Sequence, residues 1–219
     1  MSPERVESQT DYHNPRTVFE LKRLLKKFGI PLEEWGNKAE FTKKPEDLLE
    51  EIERGESILC SQEEEGLKRY VKKVAVDIVY SNDGKLLRLY QIYSEKKGRI
   101  RRRGISEVNK KTFDGLMGKL LPEEDPDIAA ERELEEEILK AVKDVSPPNL
   151  TEKERSQLTR PSPKIDERIS NGFPGLLTEY TIYRFIFLLP DRFFRPEGYK
   201  TVDKNGFVVE LVWESLIKS

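Results

Sequence analysis

The sequence predicts an α/β fold, on three observations. Apolar residues recur at helical intervals over residues 15–28, where Val18, Leu21, Leu24, Leu25 and Phe28 line one face, and again over residues 126–141. Strand-like apolar runs occupy residues 67–80, 86–93, 180–189 and 207–213, the first of them largely alternating. Between the first two runs stands Asn82-Asp83-Gly84, a hairpin signal. A chain of 219 residues is long enough for one good core and an addition to it.

Composition narrows the function classes. Charged residues make up 37% of the chain, yet the net charge is only −2, so no general attraction to polyanions follows. No apolar run approaches the ~18 residues that mark a membrane-spanning helix. The opening MSPERVESQTDY lacks the apolar stretch of a signal peptide. The single cysteine, Cys60, excludes an intramolecular disulfide and a multi-cysteine zinc cluster. The single histidine, His13, is far in sequence from the acidic segment described below. These features predict a soluble, cytoplasmic protein that does not act at a membrane.

Residues 1–13 are polar and are expected to be mobile. Asn14 then offers a helix cap and Pro15 a first helical position, and Gly29 and Pro31 stop the helix. Leu32 and Trp35 are expected to anchor onto something larger. A second short helix starts at Pro45, turns Leu48, Leu49 and Ile52 inward, and ends at Gly55. Lys22, Arg23, Lys26 and Lys27 read as the wet side of the first helix rather than as a nucleic-acid surface. Short isolated helices are marginal in water, so residues 15–55 are predicted to be ordered by docking.

From Ser57 the pattern changes to strands. Ile58-Leu59-Cys60 is a short one, with Cys60 a small buried hydrophobe. KKGRIRRR, residues 96–103, reads as a basic loop. Its Arg101, Arg102 and Arg103 are candidates for phosphate binding, because guanidinium forks pair well with phosphate oxygens.

The acidic segment GKLLPEEDPDIAAERELEEEILK, residues 118–140, carries the most chemistry. Asp125 or Asp127 can cap a helix with Pro126 in its first turn. At about 100° per residue Glu133, Glu136 and Glu137 share one face, while Ala130, Leu134, Ile138 and Ala141 form an adjacent apolar stripe. Three clustered carboxylates repel one another unless a cation sits among them, and oxygen-only ligands suit Mg²⁺ or Mn²⁺. A solvated acidic face is the plainer reading of the same spacing.

Past this segment, residues 145–169 are polar and marked by prolines. One short helix is expected over residues 151–158, capped by Thr151 with Glu154 three residues on. NGFPG, residues 171–175, is a turn, and residues 180–189 read as a central strand apolar on both faces. Phe193, Phe194 and Tyr199 read as packing residues. Asn205-Gly206 turns the chain into the last strand, and residues 214–218 are predicted as a short terminal helix.

The wider spacing of the acidic segment goes further than its helical face. Gly118, five residues, Glu124, seven residues and then Arg132-Glu133-Leu134-x-Glu136-Glu137 resemble the Nudix box, the loop-helix-loop signature of the Nudix hydrolase superfamily. The sequence departs from that pattern at both ends. Met117 precedes Gly118 where a second Gly is usual, and Leu139-Lys140 replaces a closing Gly-aliphatic pair. The helix is therefore expected to run on through Ala141 and Val142.

The resemblance implies a Nudix-type α/β/α sandwich on a mixed sheet over residues 67–219. A helical extension over residues 1–66 would pack on it or on a second subunit, giving a homodimer. It also implies hydrolysis of the pyrophosphate bond of a nucleoside diphosphate linked to another moiety, with Mg²⁺ or Mn²⁺. By position, Glu136 and Glu137 would be metal ligands and Glu133 a ligand or the base. Glu124 would be a further ligand or a support for one, and Arg132 would orient the carboxylates by charge-assisted hydrogen bonds. Gly118 and the three arginines would border the substrate. Family members often add an acidic residue from a downstream loop, for which Glu167, Glu179, Asp203 and Glu210 are candidates. The altered box end motivates an alternative: a Nudix-fold sensor that binds a nucleotide with little turnover. An isomerase of the same fold wants an active-site cysteine, and Cys60 lies before the hairpin.

Overall fold

The computed structural model describes residues 10–37, 42–62, 66–82, 84–96, 99–102, 115–142, 150–156, 158–159, 162–202 and 208–216. In chain order they form β1 (Asp11–His13), α1 (Val18–Lys27), α2 (Pro45–Glu53), β2 (Ile58–Gln62), β3 (Gly66–Asn82), β4 (Lys85–Lys96), β5 (Arg99–Arg102), β6 (Leu116–Lys119), α3 (Pro126–Glu137), α4 (Glu152–Arg155), β7 (Leu158–Thr159), β8 (Lys164–Ile169), β9 (Leu177–Leu188), β10 (Tyr199–Val202) and β11 (Val208–Ser215). The expected α/β architecture, with the acidic helix against a sheet, holds. Among the described residues no helix is long and apolar enough to cross a membrane. The chain divides into two compact units. One takes Met1–Lys72, Leu121–Glu123 and Lys164–Thr181; the other takes Lys73–Leu120, Glu124–Pro163 and Ile182–Ser219. Strands β3 and β9 contribute residues to both.

In the first unit β1, β2 and the start of β3 are antiparallel neighbours, with Asp11 opposite Ser61 and Ile58 opposite Tyr70. The polar opening expected to be mobile is thus a paired strand from Asp11 onward, because β2 offers it an edge. Helix α1 begins later than Asn14. The chain is still extended at Thr17 (φ −135°, ψ 154°), whose hydroxyl accepts from the Glu20 N–H at 3.2 Å and caps the helix instead. Helix α2 starts at Pro45 as the sequence predicts. Leu21, Leu25, Trp35, Leu48, Leu59, Phe173 and Leu176 form the core of this unit. The Trp35 indole N–H donates to the Pro174 carbonyl at 2.9 Å, so this residue anchors as expected.

Beside that core lies an ion network with no sequence signature. Arg69, 2% exposed, donates to Ser57 Oγ at 3.0 Å and to the Glu51 carboxylate. Glu51 also accepts from Ser57 at 2.8 Å and from Lys43 at 2.6 Å. Buried charges persist only when paired and hydrogen-bonded, and both charges here are.

In the second unit β4 is central, antiparallel to β3 on one side and β11 on the other, with β10 beyond β11. Strand β5 pairs with β4, and β6 lies against Lys73–Val76 of β3. The basic segment expected as a loop is therefore strand over Arg99–Arg102, with Arg101 opposite Ser94 and Arg102 opposite Tyr93. Val74, Val76 and Ile78 of β3, Leu89 of β4, and Phe185 and Phe187 of β9 meet Ala130, Leu134 and Ile138 in one core. Phe193 is fully buried and Phe194 stacks on Tyr80 at 3.8 Å, so both pack as expected.

Three local expectations change. Strand β9 buries Phe185 and Phe187 but exposes Arg184, Ile186 and Leu188, so it is apolar on both faces without being covered on both. Glu214 and Ser215 continue β11 opposite Arg88 and Leu87, because β4 is long enough to pair with them, and the terminal helix does not begin there. The expected helix over residues 151–158 is a single turn, α4, after which Leu158 enters β7. The turns at Asp83 and Asn205-Gly206 lie outside the described residues, as does Lys218.

The capping box of α4 is present, with Glu154 accepting from the Thr151 N–H at 2.7 Å. Glu154 also accepts from Arg192 at 2.9 and 2.6 Å. The Arg192 guanidinium, helped by Thr151, holds the Glu154 carboxyl down at about 2. A carboxylate whose folded value is depressed contributes stability above its unfolded value of ~4.3, and that contribution fades as the pH falls toward about 2. Glu154→Gln is therefore expected to flatten this stretch of the acid-unfolding profile. Urea titrations at about pH 5 and pH 2.5 measure it: the wild type should lose more stability between them than the variant.

Candidate active site

Helix α3 carries the site, and local chemistry starts it. Asp125 accepts from the Asp127 N–H at 2.7 Å, and Pro126 takes the first helical position. The apolar stripe is buried at Ala130, Leu134 and Ile138 and half-buried at Ala141, with Ala129 added to it. The α-helix ends at Glu137, so the expected run-on through Val142 is a correction. Ile138 turns the chain at φ −119°, ψ −58°, and a 3-10 turn follows over Leu139–Ala141. Leu139 and Val142 are both buried, and their burial draws the chain off the helix axis. Ile138 needs no left-handed backbone, so a glycine is not required to end the helix here.

The opposite face is organised by Arg132. Its Nε donates to Glu124 at 3.0 Å, one terminal nitrogen to Glu133 at 2.7 Å, and the other to Glu124 at 3.2 Å and the Lys119 carbonyl at 3.0 Å. The Glu124 and Glu133 side chains are only 9% and 10% exposed, so this one cation serves two largely buried carboxylates. The Arg132 proton is held more tightly than usual, first through its bond to Glu124. The Glu133 carboxyl is pushed up to about 7, first by burial and then by Glu136 and Glu137, against the downward pull of Arg132. Glu136 is exposed, 4.0 Å from Arg132. Glu137 accepts from the Thr201 hydroxyl of β10 at 2.8 Å.

Gly118 lies on β6 opposite Val74, and a Cβ there would overlap the Glu133 carboxyl. Its missing side chain is the space into which Glu133 folds. The clashing atoms are the far end of a flexible side chain, so Gly118→Ala should leave the fold largely intact. The expected cost is about 1–3 kcal/mol, because Glu133 must give up part of its bond to Arg132. Thermal melts set against turnover check this: activity should fall well beyond what the melt predicts.

Glu124, Arg132, Glu133, Glu136, Glu137 and Gly118 thus come together in the second unit, as their spacing in the sequence anticipates. The carboxylates supply oxygen donors only, a set that fits Mg²⁺ or Mn²⁺. Like charge from Glu136 and Glu137 around a buried Glu133 is the kind of imbalance a divalent cation relieves. Among the described residues no three acidic, histidine or cysteine side chains are already drawn together as a metal group. Glu133 is engaged by Arg132 and Glu137 by Thr201.

No family model matches the chain, and no curated protein does. Solved structures do. An Ap4A hydrolase of C. elegans is 19% identical over 67% of this chain and 81% of its own, at a TM-score of 0.30. The NUDIX domain of Shewanella oneidensis NrtR, solved with ADP ribose, is 15% identical over 66% of this chain and 72% of its own, at 0.30. RenU, a Nudix hydrolase of M. smegmatis, is 17% identical over 66% and 70%, at 0.29. The chain resembles the Nudix hydrolases. The resemblance rests on the spacing of Gly118, Glu124, Arg132, Glu133, Glu136 and Glu137 in the sequence.

Beyond residues 118–140 the candidates scatter. Arg101 and Arg102 lie on β5, and Arg103 is outside the described residues. Glu167 pairs with Lys68 at 2.8 Å, and Glu179 lies on β9; both belong to the first unit. Glu210 pairs with Lys200 at 2.7 Å, and Asp203 is outside the described residues. Thr201 escaped the sequence reading. It stands 64 residues from Glu137, and no local pattern links a strand threonine to a helix glutamate.

Proposed function

We propose that this protein is a divalent-metal-dependent Nudix-type hydrolase that cleaves the pyrophosphate bond of a nucleoside diphosphate linked to another moiety. The observation that carries this reading is the Arg132 clamp. One guanidinium holds Glu124 and Glu133 beneath a helix face that also bears Glu136 and Glu137. A merely solvated acidic face has no need to bury two carboxylates on one arginine, since burial of charge is costly.

In this reading Glu133, Glu136 and Glu137 hold the cation, with Glu124 in support. When bound, Mg²⁺ or Mn²⁺ would screen the diphosphate oxygens and acidify the attacking water. The chain's own groups do the positioning. Arg132 fixes the direction of Glu133 through a charge-assisted bond, and Gly118 leaves room for that carboxylate beside β6. Thr201 donates to one oxygen of Glu137 and so fixes the direction of that carboxylate. Glu133 acts as a ligand or as the base that takes the water proton. Arg101 and Arg102 would supply cationic contacts to the substrate's phosphates.

The deciding experiment is a panel of dinucleotides, nucleotide sugars and nucleoside diphosphate conjugates, incubated with Mg²⁺ or Mn²⁺ and followed by chromatography. The expected result is metal-dependent release of a mononucleotide and the second phosphorylated moiety from at least one compound. Binding of a nucleotide with no product under any condition would move the protein to the sensor reading.

A further inference from the structure

We propose that the outer edge of β8 pairs with the same edge of a second copy of this chain. Among the described residues β8 pairs with β9 alone. Its side chains are exposed apart from half-buried Asp166, and Ile165 and Ile169 are 65% and 51% exposed. An edge strand offers a row of unpaired N–H and C=O groups, which recruit another strand unless something blocks them.

The turn after β8 determines which groups are offered. The Ser170 N–H donates to the Leu176 carbonyl at 3.0 Å. By alternation along an antiparallel hairpin, the backbone groups of Arg168, Asp166 and Lys164 point toward β9, and those of Ile165, Glu167 and Ile169 point away. Two copies can then meet antiparallel only in registers that set these outward residues against one another.

Charge selects among those registers. Centred on Glu167, Ile165 of one copy faces Ile169 of the other, Asp166 faces Arg168, and Glu167 faces Glu167. Centred on Asp166, Lys164 faces Arg168 and Asp166 faces itself; centred on Arg168, that arginine faces itself. Opposite charges across a strand pair stabilise it and like charges oppose it. Charged residues commonly guard an edge against pairing; in β8 they disfavour the two neighbouring registers and accept the one centred on Glu167. The remaining like pair, Glu167 with Glu167, is offset because each copy's Lys68 stands 2.8 Å from its own Glu167. Asp166 and Arg168 are 3.4 Å apart within one strand, so two copies would join four alternating charges. A six-residue strand buries less than the ~1,200 Å² typical of stable interfaces, so the dimer is weak and concentration-dependent.

Sedimentation of the full chain over a concentration series tests this, with circular dichroism confirming that each variant folds. The wild type should dimerise reversibly. Asp166→Arg sets arginine against Arg168 at two places in the dimer and should raise the dimer Kd by about tenfold or more. The double exchange Asp166→Arg with Arg168→Asp restores opposite pairs in this register and should restore the dimer. A wild type that stays monomeric to about 1 mM overturns the proposal. So does a dimer that ignores the single exchange or is not recovered by the double one.

Discussion

Arg132→Ala is expected to lower stability by about 3 kcal/mol and to abolish turnover. The guanidinium makes four hydrogen bonds, to Glu124, Glu133 and the Lys119 carbonyl. Its loss leaves two largely buried carboxylates without their cation. Removing one partner of a buried pair costs roughly 3–5 kcal/mol. Arg132 is itself 28% exposed, so the low end of that range applies. Glu133 already sits near 7 through burial, and without Arg132 it would take up a proton more readily still. Arg132→Lys tests the cause. A lysine supplies charge but not the planar fork, so it should recover part of the stability and little of the activity. Denaturant titration and steady-state kinetics on both variants measure this. An alanine variant as stable as the wild type would mean that the carboxylates find other partners.

Glu136→Gln is expected to reduce turnover by at least ~10², about 2.7 kcal/mol of barrier, with folding stability unchanged. Of the three helix-face carboxylates Glu136 is the one exposed to solvent, and its contact with Arg132 is a long one at 4.0 Å. Its substitution therefore separates chemistry from folding better than that of Glu133, which is buried, or Glu137, which Thr201 holds. Without metal the variant should be as stable as the wild type or slightly more so, since one like charge is gone. Mn²⁺ binding by calorimetry should weaken in parallel with kcat. Wild-type turnover in Glu136→Gln would remove this residue from the site and with it the proposed metal set.

Much of the site was legible in the sequence because it is local. The cap at Asp125, the proline after it, the stripe Ala130-Leu134-Ile138 and the face shared by Glu133, Glu136 and Glu137 all follow from groups three or four residues apart on one helix. The same holds for α2, the Thr151–Glu154 capping box and the strand–hairpin–strand order of β3 and β4. Where a local rule misled, a longer-range contact had outweighed it. The helix was expected to continue past Glu137 for want of a glycine, but burial of Leu139 and Val142 ends it. The basic segment 96–103 reads as a loop in the sequence, yet β4 offers Arg99–Arg102 an edge.

The amino-acid sequence by itself determined which residues could act together: a helix with three carboxylates on one face, Arg132 beside them, and Glu124 and Gly118 at their offsets. Only the tertiary structure decided which contacts each of them makes. It buried Glu133 against Gly118, spent Arg132 on Glu124 and Glu133 at once, left Glu136 to solvent and brought Thr201 to Glu137. It also made strands of Asp11–His13 and Lys164–Ile169, which carry little apolar pattern of their own. The physical reason is one of range. Helix periodicity and capping are set by neighbours within a turn, whereas burial, strand pairing and the partner of a charge depend on residues tens of positions away.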